Sequence, residues 1–120
     1  MFENTERTEL SALGEFGLIS HLSKHFTSKN ESTVLGIGDD AAIVKLGNEM
    51  MAISTDSYIE GVHFDLMFHP LKHLGYKAVA ATVSDICAMN AIPTQILVAI
   101  GLSNRFSLEA VEELYEGMRL

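Results

Sequence analysis

Between Ser11 and Phe26 the apolar residues Leu13, Phe16, Leu18, Ile19, Leu22 and Phe26 recur at roughly the spacing of one helical face. That spacing predicts a short amphipathic helix, with Gly14 and Gly17 weakening its start. A stretch rich in Ser, Thr, Asn and Lys, from Thr27 to Thr33, interrupts the pattern before Val34, Leu35 and Ile37 open an extended segment. Two further apolar runs, Ala41 to Leu46 and Met50 to Thr55, are joined by Gly47-Asn48-Glu49, a connection short enough to close an antiparallel hairpin. Leu71 to Met89 is alanine-rich, with Pro70 where a helix can begin and Asn90 and Pro93 beyond its end, and it predicts a long buried helix. The continuous run Ile96, Leu97, Val98, Ala99 and Ile100, within Thr94 to Leu102, predicts a strand covered on both faces. Ser107 then caps a final helix from Leu108 onward. The element order is helix, strands, helix, strand, helix, without repeats or linkers.

A length of 120 residues, 48% hydrophobic with two prolines, argues for one folded domain rather than a disordered chain. Eight basic against sixteen acidic side chains give a formal net charge of -8. Such a surface repels nucleic acid and anionic membranes and makes cations the natural partners. A single cysteine, Cys87, permits neither a disulfide framework nor a thiolate zinc site, which fits a reducing cytoplasm. Met1 to Glu15 is polar and acidic, unlike a secretory leader, and no apolar run approaches a membrane span, so a soluble cytoplasmic protein is expected.

Candidate chemistry lies in carboxylates. Gly36-Ile37-Gly38-Asp39-Asp40-Ala41-Ala42 sets two adjacent carboxylates at the mouth of a strand, a composition that also suits a plain turn. Ser54-Thr55-Asp56 ends the next strand with a carboxylate and two hydroxyls, hard oxygen donors suited to magnesium. Pairing of the two strands would bring Asp40 and Asp56 towards each other. Asp85 is the only charge in the run Ala78 to Met89, and an unpaired carboxylate in an apolar helix would cost several kcal/mol. It therefore needs a partner, unless it lies on a solvent-facing stripe with Thr82 and Ser84. Carboxylates converging with so few basic residues between them call for divalent ions, the arrangement of magnesium-dependent phosphoryl transfer. His63, in Glu60-Gly61-Val62-His63-Phe64, follows a glycine turn and is either a donor to an anionic substrate group or a polar loop residue. His21 with His25 and His69 with His73 have a four-residue spacing but lack a metalloprotease glutamate, and both pairs read as surface. No P-loop and no protein-kinase lysine and His-Arg-Asp set is present, and Gly36-x-Gly38 is too short for a dinucleotide fingerprint.

Leu13-Gly14-Glu15-Phe16, Leu35 to Ala42, Ser54-Thr55-Asp56, Glu60 to Phe64, Tyr76-Lys77-Ala78 and Ser84 to Met89, in this order, resemble the thiamine-monophosphate kinase family. The resemblance runs from Leu13 to Pro93 and more loosely to Leu120. It implies an α+β fold, a mixed or antiparallel sheet covered by helices, like the N-terminal domain of the aminoimidazole-ribonucleotide-synthetase-like superfamily. Residues 1–120 would form one ATP- and magnesium-site and dimerisation domain, with the second domain outside this chain. The implied reaction is direct in-line transfer of the ATP γ-phosphoryl group to thiamine monophosphate, giving thiamine diphosphate, with no protein nucleophile. By the same resemblance Asp40, Ser54, Thr55, Asp56 and Asp85 hold Mg2+ ions between ATP and substrate, His63 contacts the thiamine phosphate, and Asp39 neighbours the site. ATP and thiamine monophosphate are the implied ligands and a homodimer the implied assembly. Asn90 stands where the family usually has glycine, although Asn tolerates a left-handed backbone. The family's later Gly-Gly-Asp segment is missing, so part of the site is absent and these 120 residues alone are expected to be inactive. Two alternatives stand beside this reading: a sister ATP-dependent synthetase of the same superfamily, of which a selenophosphate synthetase would be expected to carry a reactive cysteine or selenocysteine near its start, and a non-catalytic dimerising domain.

Overall fold

A computed structural model describes residues 6–120. Of the polar opening stretch, residues 1–5 lie outside the described residues.

The first helix, α1, spans Gly14–Ser23 and follows a single 3-10 turn at Leu10–Ala12. It is shorter than the apolar spacing predicts, because no described residue covers it: Phe16 is 83% exposed, and no residue of the helix is buried. Three strands follow, β1 (Thr33–Leu35), β2 (Ala42–Leu46) and β3 (Glu49–Ile53), forming one antiparallel sheet in the order β1-β2-β3. In the hairpin, Leu46 pairs with Glu49 and Ala42 with Ile53, so Glu49 belongs to the strand and only Gly47 and Asn48 form the loop. Gly47 stands at the first loop position with φ 62, the conformation a two-residue hairpin loop requires there.

Helix α2 spans Leu71–Ala88, starting directly after Pro70. Its end is a Schellman motif: Asn90 takes the left-handed conformation at φ 56, its N–H donates to the Cys87 carbonyl at 2.9 Å, and the Ala91 N–H donates to Ile86 at 3.2 Å. Helix α3 spans Leu108–Arg119, and the Ser107 hydroxyl accepts from the Ala110 N–H at 3.2 Å, the expected cap.

The two long helices cross closely. Leu74 and Gly75 of α2 and Leu114 and Gly117 of α3 are their buried residues. A Cβ on Gly75 would collide with the Leu114 carbonyl, and one on Gly117 with the Lys72 carbonyl, so backbone meets backbone where both helices lack a side chain. Alanine-rich α2 is not buried along its length as the composition suggests; α3 covers one side, while the other borders an open groove.

Thr94 to Leu102 does not form a strand, contrary to its apolar pattern. Leu97 is 99% exposed and Ile92 85%. A strand exists only where a neighbour completes its hydrogen-bond ladder, and among the described residues the sheet stops at β3. With this flank open, the radius of gyration is 18.1 Å, against about 14 Å for a closed domain of this length.

Candidate functional site

The site lies on the seam between the sheet and α2. Beyond the last paired residues of the hairpin, Ala42 and Ile53, the two chains run on into Asp40 and Ser54. There the Ser54 hydroxyl lies 3.1 Å from the Asp40 carbonyl oxygen and 3.4 Å from Asp85 Oδ2 on α2. Asp85 thus has the partner its apolar surroundings demand, and it is half-buried rather than on a free surface. One turn earlier on the same helical face, the Thr82 hydroxyl lies 3.4 Å from Asp56 Oδ2 and donates back to the Ala78 carbonyl at 2.8 Å. Two contacts, Ser54 to Asp85 and Thr82 to Asp56, therefore tie the end of β3 and the loop after it to one face of α2.

Not every predicted residue takes part in these contacts. The Asp39 carboxylate accepts from the N–H of Asp40 at 2.8 Å, a local bond that holds the bend between β1 and β2. Thr55 is exposed and makes no side-chain hydrogen bond among the described residues. Asp40 reaches the seam through its backbone carbonyl, and its own side chain is exposed. Among the described residues no group of three or more His, Cys, Asp or Glu side chains is close enough to hold a metal ion. The donors instead stand in pairs, one carboxylate with one hydroxyl, at Asp85 with Ser54 and at Asp56 with Thr82.

His63 lies in a compact turn. Gly61, at φ 79, lets the chain reverse so that its N–H donates to the Phe64 carbonyl at 2.8 Å, beside the bridge between Glu60 and Phe64. The His63 and Val62 N–H groups donate to the Ile59 carbonyl at 2.9 and 3.1 Å. In return the Ile59 N–H donates to His63 Nδ1 at 2.9 Å. Tyr58 joins this turn to the seam: its ring stands edge-on to His63, with centroids 5.9 Å apart. Burial raises the Tyr58 hydroxyl above the ordinary 10.0, the negative charges of Asp56 and Asp85 add to that rise, and the Thr82 hydroxyl offsets part of it.

The four remaining histidines are exposed, as expected, but neither pair shares a helix. His25 lies beyond the end of α1, and His69 precedes α2 and bonds instead to Asp65, whose N–H reaches its Nδ1 at 3.1 Å. Cys87 is free and exposed.

Tyr58 and Thr82 are the participants that motif reading passes over. Thr82 carries a signal in hindsight, since it stands three residues before Asp85 and so on the same helical face. Tyr58 carries none beyond nearness to Asp56, because its place between Asp56, Asp85 and His63 depends on how the loop folds back.

Together these features define a class: a small α+β domain with carboxylate and hydroxyl oxygens along a sheet-helix seam and a histidine turn at its end. Residues 38–120 match the family model of the AIR synthase related protein, N-terminal domain, and the chain belongs to that family. It is 45% identical over 87 residues to the thiamine-monophosphate kinase of Buchnera aphidicola subsp. Schizaphis graminum, covering 72% of this chain and 27% of that protein. To the thiamine-monophosphate kinase of Bacillus subtilis it is 36% identical over 107 residues, covering 88% of this chain and 33% of that protein. A solved structure, AaThiL complexed with AMPPCP and TMP, superposes with a TM-score of 0.80 at 34% identity, over 96% of this chain and 35% of that one. The chain thus spans about a third of the length of the curated relatives it matches. No described helix is long and apolar enough to cross a membrane.

Proposed function

We propose that the protein containing this chain phosphorylates thiamine monophosphate to thiamine diphosphate with ATP and magnesium, by direct in-line transfer. The observation that carries the reading is the seam itself, where β3 and α2 set Ser54 beside Asp85 and Thr82 beside Asp56. It is supported by a likeness of 0.80 in TM-score to a structure complexed with AMPPCP and TMP. In such transfer the protein has little covalent chemistry to perform, and positioning and charge neutralisation do most of the work, so no protein nucleophile is needed.

The donor chemistry fits magnesium. Mg2+ keeps several waters and takes one or two carboxylates together with substrate phosphates, so separate carboxylate-hydroxyl pairs suit it better than a closed cage of side chains. Asp85 and Ser54, with Asp56, Asp40 and Thr55, are the residues we assign to hold it, and the bound ion would neutralise charge on the phosphates. The local bond to the Asp40 N–H gives Asp39 a positioning part beside them. His63 is assigned to the substrate. These residues form part of a site, and the 120-residue chain alone is expected to give no turnover.

The same reading places the protein in the cytoplasm as a homodimer. The exposed apolar segment containing Leu97 supports the dimer, since an uncovered apolar patch of this kind favours contact with a second copy. Sedimentation that shows only monomer would count against it.

The deciding test is magnesium-dependent formation of thiamine diphosphate by the full-length protein. Asp85→Ala should lower turnover by roughly a hundredfold or more, the scale on which supporting a metal site matters. Full activity in that variant removes the metal assignment, and a wild-type protein inactive on thiamine monophosphate removes the kinase reading.

A further inference from the structure

The arrangement around His63 is more specific than a loop histidine requires. Its Nδ1 lies 2.9 Å from the backbone N–H of Ile59, and an amide N–H can only donate. Nδ1 must therefore offer its lone pair, which leaves the ring proton on Nε2. Among the described residues Nε2 has no hydrogen-bond partner, and the side chain is exposed, so the N–H has a free approach. The ring is also held from a second direction. Tyr58 stands edge-on to it at 5.9 Å and an interplanar angle of 60°. Tyr58 itself is half-buried against the seam where Asp56, Asp85 and Thr82 meet. The turn that supplies the Ile59 amide is closed by the His63 N–H donating back to Ile59 at 2.9 Å and by Gly61 donating to Phe64 at 2.8 Å.

We propose that Tyr58 and the Ile59 amide are positioning groups that fix His63 as its Nε2–H tautomer, a directed hydrogen-bond donor to an anionic phosphate oxygen of the substrate. This rests on the kinase reading for the identity of the substrate, while the tautomer and its cause stand on the geometry alone. A donor held in one tautomer and one orientation has less ordering to do when the ligand arrives, which favours affinity over a freely rotating ring. Tyr58 serves here as a spacer of fixed length. Its ring sets the imidazole relative to the carboxylate-hydroxyl pairs of the seam.

The test uses the full-length protein labelled with 15N at histidine, without ligand, and reads the long-range proton-nitrogen correlations of His63, assigned by their loss in H63Q. The expected result is one tautomer, with a bare Nδ1 and a protonated Nε2. Y58F, which keeps the ring, should preserve it, and Y58A should give averaged signals of both tautomers. A proton on Nδ1 in the unmodified protein, or unchanged signals in Y58A, overturns the proposal. A second arm asks whether Nε2–H is used. The amide of Gln reaches the place of Nε2, and that of Asn only the place of Nδ1. H63Q should keep kcat/KM for thiamine monophosphate within about threefold of wild type, with the change in KM, while H63N should lose about tenfold or more. Equal losses in the two variants overturn the donor role. A single Nε2–H tautomer in a protein that binds but does not phosphorylate thiamine monophosphate removes the kinase reading alone. The effect of H63Q and H63N on the affinity for thiamine monophosphate then decides the donor role in the same way.

Discussion

The crossing of α2 with α3 and the segment from Ile92 to Leu102 are both apolar, yet they end in opposite surroundings. At the crossing, Leu74, Gly75, Leu114 and Gly117 are buried against each other. In the segment, Leu97 is 99% exposed, and Ile96, Val98, Ile100 and Leu102 are all exposed as well. Hydropathy does not separate them, for the segment is the more apolar of the two. The difference lies in what each needs for burial. A helix satisfies its own backbone and can bury a stripe against one neighbour, and here glycines let that neighbour come to backbone distance. A strand must first find a partner for its backbone groups, and none is present among the described residues.

The crossing of the two helices is most sensitive at Gly117. A methyl group there meets the Lys72 carbonyl, backbone that cannot swing aside. Gly117→Ala should therefore destabilise the chain by about 3 kcal/mol, read as a lowered urea midpoint. An unchanged midpoint would mean that the helices do not cross as closely as described.

The residues that bound the segment come next, because they end one helix and start the other. Ser107→Ala removes the cap on the Ala110 N–H and should cost about 1 kcal/mol in the same assay. Asn90→Ala puts a less tolerant residue at φ 56 and should cost a similar amount, about 1 kcal/mol. If Asn90→Ala is neutral, the Schellman ending of α2 is not formed in solution.

Measured on the dissociated monomer, Leu97→Ser should have the smallest effect, within about 0.5 kcal/mol, since no described residue covers that side chain. A large loss would show that Leu97 is buried in solution, by a rearranged segment or, where dissociation is incomplete, by a second copy, and sedimentation of the variant against the parent would tell these apart.

The seam and the histidine turn differ in a parallel way. Asp85 announced itself as a lone charge in an apolar helix, and its need for a partner is met by Ser54 at 3.4 Å. Asp56 is legible as a carboxylate between hydroxyls, but its contact, Thr82, comes from another element and reads in the sequence only as part of a solvent stripe. The expected convergence of carboxylates was argued from charge, and charge alone does not say that they arrive in pairs with hydroxyls. The Nδ1 bond of His63 and the ring of Tyr58 depend on a turn closing through Gly61, and no local preference of His or Tyr encodes that closure.

The local features follow from the amino-acid sequence alone. That sequence sets the hairpin through Gly47 and the pairing of two apolar runs, the ends of α2 through Pro70 and Asn90, the start of α3 through Ser107, and the oxygen chemistry of Ser54, Asp56 and Asp85. These depend on capping, turn conformation and side-chain type, which neighbours in the chain decide. The three-dimensional fold sets which apolar surfaces are covered, that Gly75 and Gly117 meet backbone, and that Tyr58 lies between the seam and His63. Those depend on contacts between residues far apart in the chain. The free energy of such a contact comes from the partner as much as from the residue, so it cannot be read from either alone.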